Sequence, residues 1–187
     1  MLTAISGFFV AKTYARYASK ITGTTTAEAA AWQIDINDGG SPASTYTNAF
    51  TLAATKTASA YSVADVIAPG DKGSFPIVID PTGTEVAFNY SVKVSNNATP
   101  ITVPAGLKFY WGDPDAGGTE LVLGTAMTPV EVTLPGNVAF TDASKITNAI
   151  YWKWTDLNTD TANEADTNFQ NTSISFPVEI KIEQAFN

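Results

Sequence analysis

The side chains best suited to chemistry are the oxygen donors of Asp156, Asn158 and Asp160, followed by Glu164 and Asp166. Alternating Asp and Asn residues open the oxygen-rich loops that coordinate calcium. Those loops also require a glycine at the sixth position and a bidentate glutamate at the twelfth. An Ala-bearing stretch and Thr167 stand there instead. The favoured reading is therefore a solvated loop whose Asp and Asn side chains bond their own backbone as turn formers. No cofactor is expected, and calcium at these five residues is the one metal candidate. Catalysis is poorly supplied. The chain has no His and no Cys, which removes Ser-His-Asp and Cys-His catalysis, thiolate nucleophiles and the usual zinc sites. Neither a Ser-x-x-Lys nor a Gly-x-Ser-x-Gly signature occurs. Asp160-Thr161-Ala162 and Asp166-Thr167-Asn168 approach the Asp-Thr-Gly of paired-aspartate peptidases, but they lie in a polar loop rather than beside a buried strand. The expectation is a protein that is not an enzyme.

Aromatic residues offer a second kind of site. Trp32, Trp111, Trp152 and Trp154 could stack on sugar rings, which would make the chain a carbohydrate-binding module or a monomeric cell-surface adhesin. Their alternation with polar residues fits burial better. In Ile150-Tyr151-Trp152-Lys153-Trp154 the two indoles share one face of a strand, while Tyr151 and Lys153 share the other. Asn89, Asn97 and Asn171 each begin an Asn-x-Ser/Thr glycosylation pattern and read equally well as outward polar residues.

These positions need a β scaffold. Hydrophobic residues make up 44% of the 187, while charged residues make up 15%, well below the usual quarter. Eighteen Asp/Glu against ten Lys/Arg give a net charge of −8, with no basic stripe to neutralise phosphates, so nucleic acid is excluded as a partner. Trp32, Ile34 and Ile36 alternate in a first strand over 30–36, closed by Asn37-Asp38-Gly39-Gly40. A looser strand is predicted from Tyr46 to Thr55, with Phe50 and Leu52 inward. Phe75, Ile77 and Ile79 alternate next, where Pro76 suggests a sheet edge. Pro81 to Thr84 is read as a hairpin turn into Val86, Phe88, Tyr90, Val92 and Val94. Further strands are read at Leu107–Trp111, Thr119–Leu123 and Val130–Leu134, with a helical turn over Thr141–Lys145 capped by Thr141 or Asp142. The last strand carries Ile174, Phe176, Val178, Ile180 and Ile182 inward. The predicted fold is all-β, an antiparallel jelly-roll-like sandwich over 27–187 preceded by an extended N-terminal arm over 1–26. Its expected core includes Trp32, Ile34, Phe88, Tyr90, Trp152, Trp154, Phe176 and Ile180.

The arm begins with a ten-residue apolar stretch, Leu2 to Ala11. It is too short to span a bilayer as a helix and has the length of a signal-peptide core, with Thr13 and Ala15 placed for cleavage after Ala15. No basic residue precedes it, so an apolar arm retained in the mature chain is the other reading.

Thr13-Tyr14-Ala15-Arg16-Tyr17, the Thr/Ala-rich run to Ala31, the Pro69-Gly70-Asp71 turn, Tyr151-Trp152-Lys153-Trp154 and Ala165-Asp166-Thr167 follow one another in an order that resembles the TasA/camelysin family of secreted fibre-forming proteins. The resemblance runs from Thr13 to the last strand. Camelysins are classed as metallopeptidases, an activity for which the residues above provide no partners. The resemblance implies a secreted structural subunit of a prokaryote, with no membrane contact in its mature form. It would polymerise with identical copies into a biofilm matrix or pilus-like filaments that contact the cell surface or matrix. An open sandwich has unpaired edges, and a strand donated by a neighbouring subunit would satisfy them. Ile5, Phe8, Phe9, Val10, Tyr14, Tyr17 and Ile21 are the expected anchors of that donor.

Overall fold

The computed structural model describes residues 30–37, 45–57, 62–63, 65–96, 102–156, 169 and 175–185. The chain divides into two units, Met1–Ala31 and Trp32–Asn187. All seven proposed donor anchors lie outside the described residues. The second unit is almost wholly β. Its strands are β1 (Asp35–Ile36), β2 (Thr45–Thr51), β3 (Lys72–Asp80), β4 (Phe88–Val94), β5 (Leu107–Trp111), β6 (Thr119–Leu121), β7 (Val130–Val132), β8 (Ile146–Trp154) and β9 (Ser175–Gln184).

Two antiparallel sheets face one another, ordered β1-β3-β8-β5-β6 and β2-β9-β4-β7. Numbered one to eight, β2 to β9 fall into the two sheets in the orders 1-8-3-6 and 2-7-4-5, with only β5 and β6 consecutive in one sheet. This is the double Greek-key order of a jelly roll. The short β1 adds to its edge at β3, pairing Asp35 with Asp80 and Ile36 with Ile79.

Strict alternation builds the core. In β4, Phe88, Tyr90, Val92 and Val94 are buried while Asn89, Ser91 and Lys93 between them are not. In β9, Phe176, Val178, Ile180 and Ile182 do the same. Trp152 and Trp154 enter from β8 at the centre of the other sheet, exposed by 1% and 0%. Trp111 packs edge-on against Tyr90, ring centroids 6.0 Å apart. Ile34 is buried, but Trp32 is only partly buried at the rim of the core, a correction to its expected place within it.

Three further expectations are corrected. The first strand shortens to Asp35–Ile36, since only that part finds a partner on β3. β2 ends at Thr51, whose hydroxyl accepts from the Ala54 N–H and caps a single helical turn, Leu52–Thr55. Phe50 and Leu52 still face inward. The turn after β3 is not a hairpin: β3 and β4 lie in opposite sheets. There the buried Thr84 hydroxyl bonds both the N–H and the carbonyl of Gln33, and Phe140 pairs with Gly83 and Thr84. These bonds carry the chain across the sandwich rather than back along β3. The predicted helical turn is present as a 3-10 turn over Asp142–Ser144, with the Thr141 N–H donating to Ser144 Oγ.

Trp152 is the best-seated side chain. Its indole N–H donates to Thr55 Oγ1 at 3.0 Å, and β3 passes it with Gly73 in register. A Cβ on Gly73 would sit 2.2 Å from the Thr55 carbonyl oxygen and 2.6 Å from Trp152 Nε1. Trp152→Ala should therefore cost about 3–5 kcal/mol, the range for deleting large aromatics from cores, read as a lowered urea midpoint.

At the end of β3, the Asp80 carboxylate accepts from the Thr82 N–H at 3.0 Å and hydroxyl at 2.5 Å, with Lys145 Nζ at 3.0 Å. Burial alone would raise its proton affinity. The Thr82 bonds and Lys145 outweigh that, holding Asp80 below the ordinary carboxylate range. A lowered folded-state value stabilises the fold above the unfolded range, near about pH 4. That stabilisation disappears as pH falls through the lower folded value. In urea unfolding, the gap between the wild type and Asp80→Asn should thus narrow as the pH is taken below about 4.

Candidate functional site

Of the acidic-loop donors, Asp156 is exposed just beyond β8, while Asn158, Asp160, Glu164 and Asp166 lie outside the described residues. Among the described residues no three His, Cys, Asp or Glu side chains converge as metal ligands. The indoles of Trp111, Trp152 and Trp154 are core, so sugar stacking cannot use their faces. Asn89 is half-buried in β4, whereas Asn97 and Asn171 lie outside the described residues. Among the described residues no helix is long and apolar enough to cross a membrane.

A buried ion pair went unrecognised in the sequence, where Ala68 to Gly73 reads simply as a turn. Lys56 and Asp71 have side chains exposed by 6% and 0%, and Lys56 Nζ lies 3.9 Å from Asp71 Oδ2. The ammonium sits in a cage of oxygens, donating to Ser62 Oγ at 2.8 Å, the Val63 carbonyl at 2.6 Å and the Val66 carbonyl at 2.7 Å. Asp71 Oδ2 accepts from the Ala68 N–H at 2.8 Å and from the Ser62 hydroxyl. Its backbone carbonyl in turn receives the Trp154 N–H at 2.9 Å. The cage thus ties an otherwise irregular loop to the end of β8. One signal was available, since Lys56 is the single charged residue between Thr45 and Ala64.

Among the described residues, the sheet edges are where this fold can pair with another chain. They are protected very unequally. Beyond β1, the outer side of β3 is covered by Asn37, whose N–H donates to the Val78 carbonyl (2.9 Å) while its Oδ1 accepts from the Val78 N–H (2.7 Å). Pro76, two residues before Val78, faces the same way and has no N–H to offer. At the other end, Thr57 N–H donates to the Lys72 carbonyl. On the opposite flank β6 and β7 are three residues each. The connection between them spends its own N–H groups, Gly124 and Met127, on the Val94 and Val92 carbonyls of β4.

β2 is different. All seven of its residues pair with β9, and among the described residues no strand lies on its other side. Ser95 N–H donates to the Pro177 carbonyl, so Pro177 faces β4 and its neighbours Phe176, Val178 and Ile180 face β2. By alternation Tyr46, Asn48 and Phe50 bond β9, while Thr45, Thr47 and Ala49 turn their backbone groups outward. The Ala49 N–H is taken by its own neighbour, Asn48 Oδ1, at 2.8 Å. The strand carries no charge and no proline.

Comparison with known proteins returns no match to a family model, to a curated protein or to a solved structure. The fold and its edges define the class: an antiparallel jelly roll in which, among the described residues, β2 is the one long edge strand with no strand beyond it.

Removing the Lys56 ammonium leaves a buried carboxylate and two carbonyls without their cation. Lys56→Met should destabilise the fold by about 3–5 kcal/mol, as expected when one partner of a buried pair is deleted. Lys56→Met combined with Asp71→Asn should recover part of that loss in the same urea titration.

Proposed function

We propose that this chain is a structural subunit that polymerises outside a prokaryotic cell, each copy donating a strand from its N-terminal region to the next. The observation that carries this reading is the division of the chain. The eight strands of the jelly roll all come from residues 45–184, and Met1–Ala31 forms a separate unit. A segment not needed to fill a strand position in its own sandwich is available to a neighbour. Donation of this kind is head-to-tail and does not close on itself, so it generates an open filament. The donor composition suits the role: residues 1–31 contain no proline and are rich in Thr, a good strand former. The resemblance to TasA and camelysin points the same way, towards secretion and fibre formation.

Deleting residues 1–26 should leave a folded monomer, with unchanged far-UV circular dichroism, that no longer pellets or shows filaments by negative stain. Ordinary fibres from the truncated chain would sink strand donation from the N-terminus.

A further inference from the structure

We infer that the acceptor for the donated strand is the open outer edge of β2, and that its occupant is the segment around Tyr17–Ile21 of a second copy. This rests on the proposed strand donation and adds where the donor lands and in what pattern.

The acceptor follows from the edges. β3 is covered by β1, Asn37 and Thr57, and has a proline where it is not covered. β6 and β7 each offer no more than three residues. β2 offers seven residues, with outward N–H and carbonyl groups at Thr45 and Thr47 and the outward carbonyl of Ala49, whose N–H is held by Asn48 Oδ1. It also lacks the charges and prolines that commonly block edge pairing.

The flank beside β2 has a hydrophobic floor as well as hydrogen-bonding groups. Phe50 stacks on Phe75 of β3, with centroids 5.3 Å apart and planes 13° from parallel. Phe75 and Tyr46 are only partly buried. A strand laid along β2 would cover both rings with the side chains it turns inward.

The occupant follows from pattern and charge. On the face that carries the buried Phe50, β2 reads Tyr46, the exposed Asn48 and Phe50, an apolar–polar–apolar triplet at spacing two. Tyr17, Ser19 and Ile21 repeat it at the same spacing, so Tyr17 and Ile21 would lie beside Tyr46 and Phe50 with Ser19 beside Asn48. Arg16, Ala18 and Lys20 then point outward. Residues 1–31 hold Lys12, Arg16 and Lys20 against Glu28, a net charge of +2. Residues 32–187 hold seven Lys and seventeen Asp/Glu, a net charge of −10. Two sandwiches repel one another, while the arm of one is drawn to the body of the next.

Thr47→Pro tests the acceptor directly. The Thr47 N–H faces outward, so proline there should leave the monomer folded, with a melting temperature within a few degrees of wild type. It should also abolish filaments, because the donor loses its central bond and meets a ring. Since the chain has no Cys, introduced thiols report cleanly. Ala18→Cys combined with Thr47→Cys, or with Ala49→Cys if the strand runs the other way, should give a ladder of covalent oligomers on oxidation. This second test holds even if Thr47→Pro fails to fold.

Normal filaments from a folded Thr47→Pro variant, in a protein whose 1–26 deletion does abolish them, would place the acceptor elsewhere and leave donation standing. Filaments from the deletion itself would instead remove the donor reading. A disulfide within one chain, or no disulfide in either pair, overturns the assignment to a second copy's arm. A dimer formed through Thr47→Cys alone would make the occupant a second β2.

Discussion

The sandwich depends on seating two indoles that arrive side by side from one strand. Trp152 and Trp154 are the largest of the fully buried side chains, and their strand can lie central in its sheet only if its neighbours make room. Gly73 does so on β3, where any Cβ would strike both the Trp152 ring and the Thr55 carbonyl. Thr55 accepts the indole N–H, which would otherwise be buried without a partner at a cost of about 1–3 kcal/mol. Thr55 can do this because the chain leaves β2 in a helical turn rather than continuing as a strand. Trp154 is held from another direction, by an edge-on contact with Phe169 at 5.4 Å.

The Lys56–Asp71 pair belongs to the same construction. Lys56 follows the turn that carries Thr55, and Asp71 directly precedes β3, so the pair stands where the two indole supports meet. The main chain at Asp71 grips Trp154: the Asp71 backbone carbonyl accepts the Trp154 N–H, and the adjacent Gly70 N–H donates to the Trp154 carbonyl. A buried charge pair in a fold with so few charges is costly to desolvate. Here that cost is offset by bonds to two backbone carbonyls, a hydroxyl and an N–H, which no apolar pair could supply.

Much of this was legible in the sequence, and the reason is local. Alternation fixes which face of a strand is buried, so Phe88, Tyr90, Phe176 and Ile180 could be assigned inward without knowing their neighbours. Alternation does not say which strand lies beside which. The turn at Pro81–Thr84 has hairpin chemistry, yet bonds to Gln33 and Phe140, 51 residues before and 56 after Thr84, direct the chain to the other sheet. The end of β2 was hidden for a similar reason, since Thr and Ala suit both the strand and the turn, and the Thr51 cap decides between them. Pro76 was readable because its meaning is a missing donor, and it sits where the sheet has nothing to accept. The acidic loop and the donor anchors rest on the sequence reading alone.

The contrast between β2 and the other edge strands bears on how such a surface can serve assembly at all. A sandwich with ten more acidic than basic residues resists face-to-face contact, because each added copy brings a like charge. Backbone pairing escapes that constraint, since N–H and C=O groups are neutral and the partner strand can carry its own sign. An edge used this way must be uncharged and long enough for several bonds, whereas every other edge must be short, bulged or capped to prevent pairing out of order. β2 is uncharged with all seven residues in a ladder, β3 is capped, and β6 and β7 are truncated. In the proposed filament, directionality then needs no specific side-chain lock between bodies. It follows from one long uncovered edge among the described residues, an arm of opposite charge, and pairing that runs head to tail.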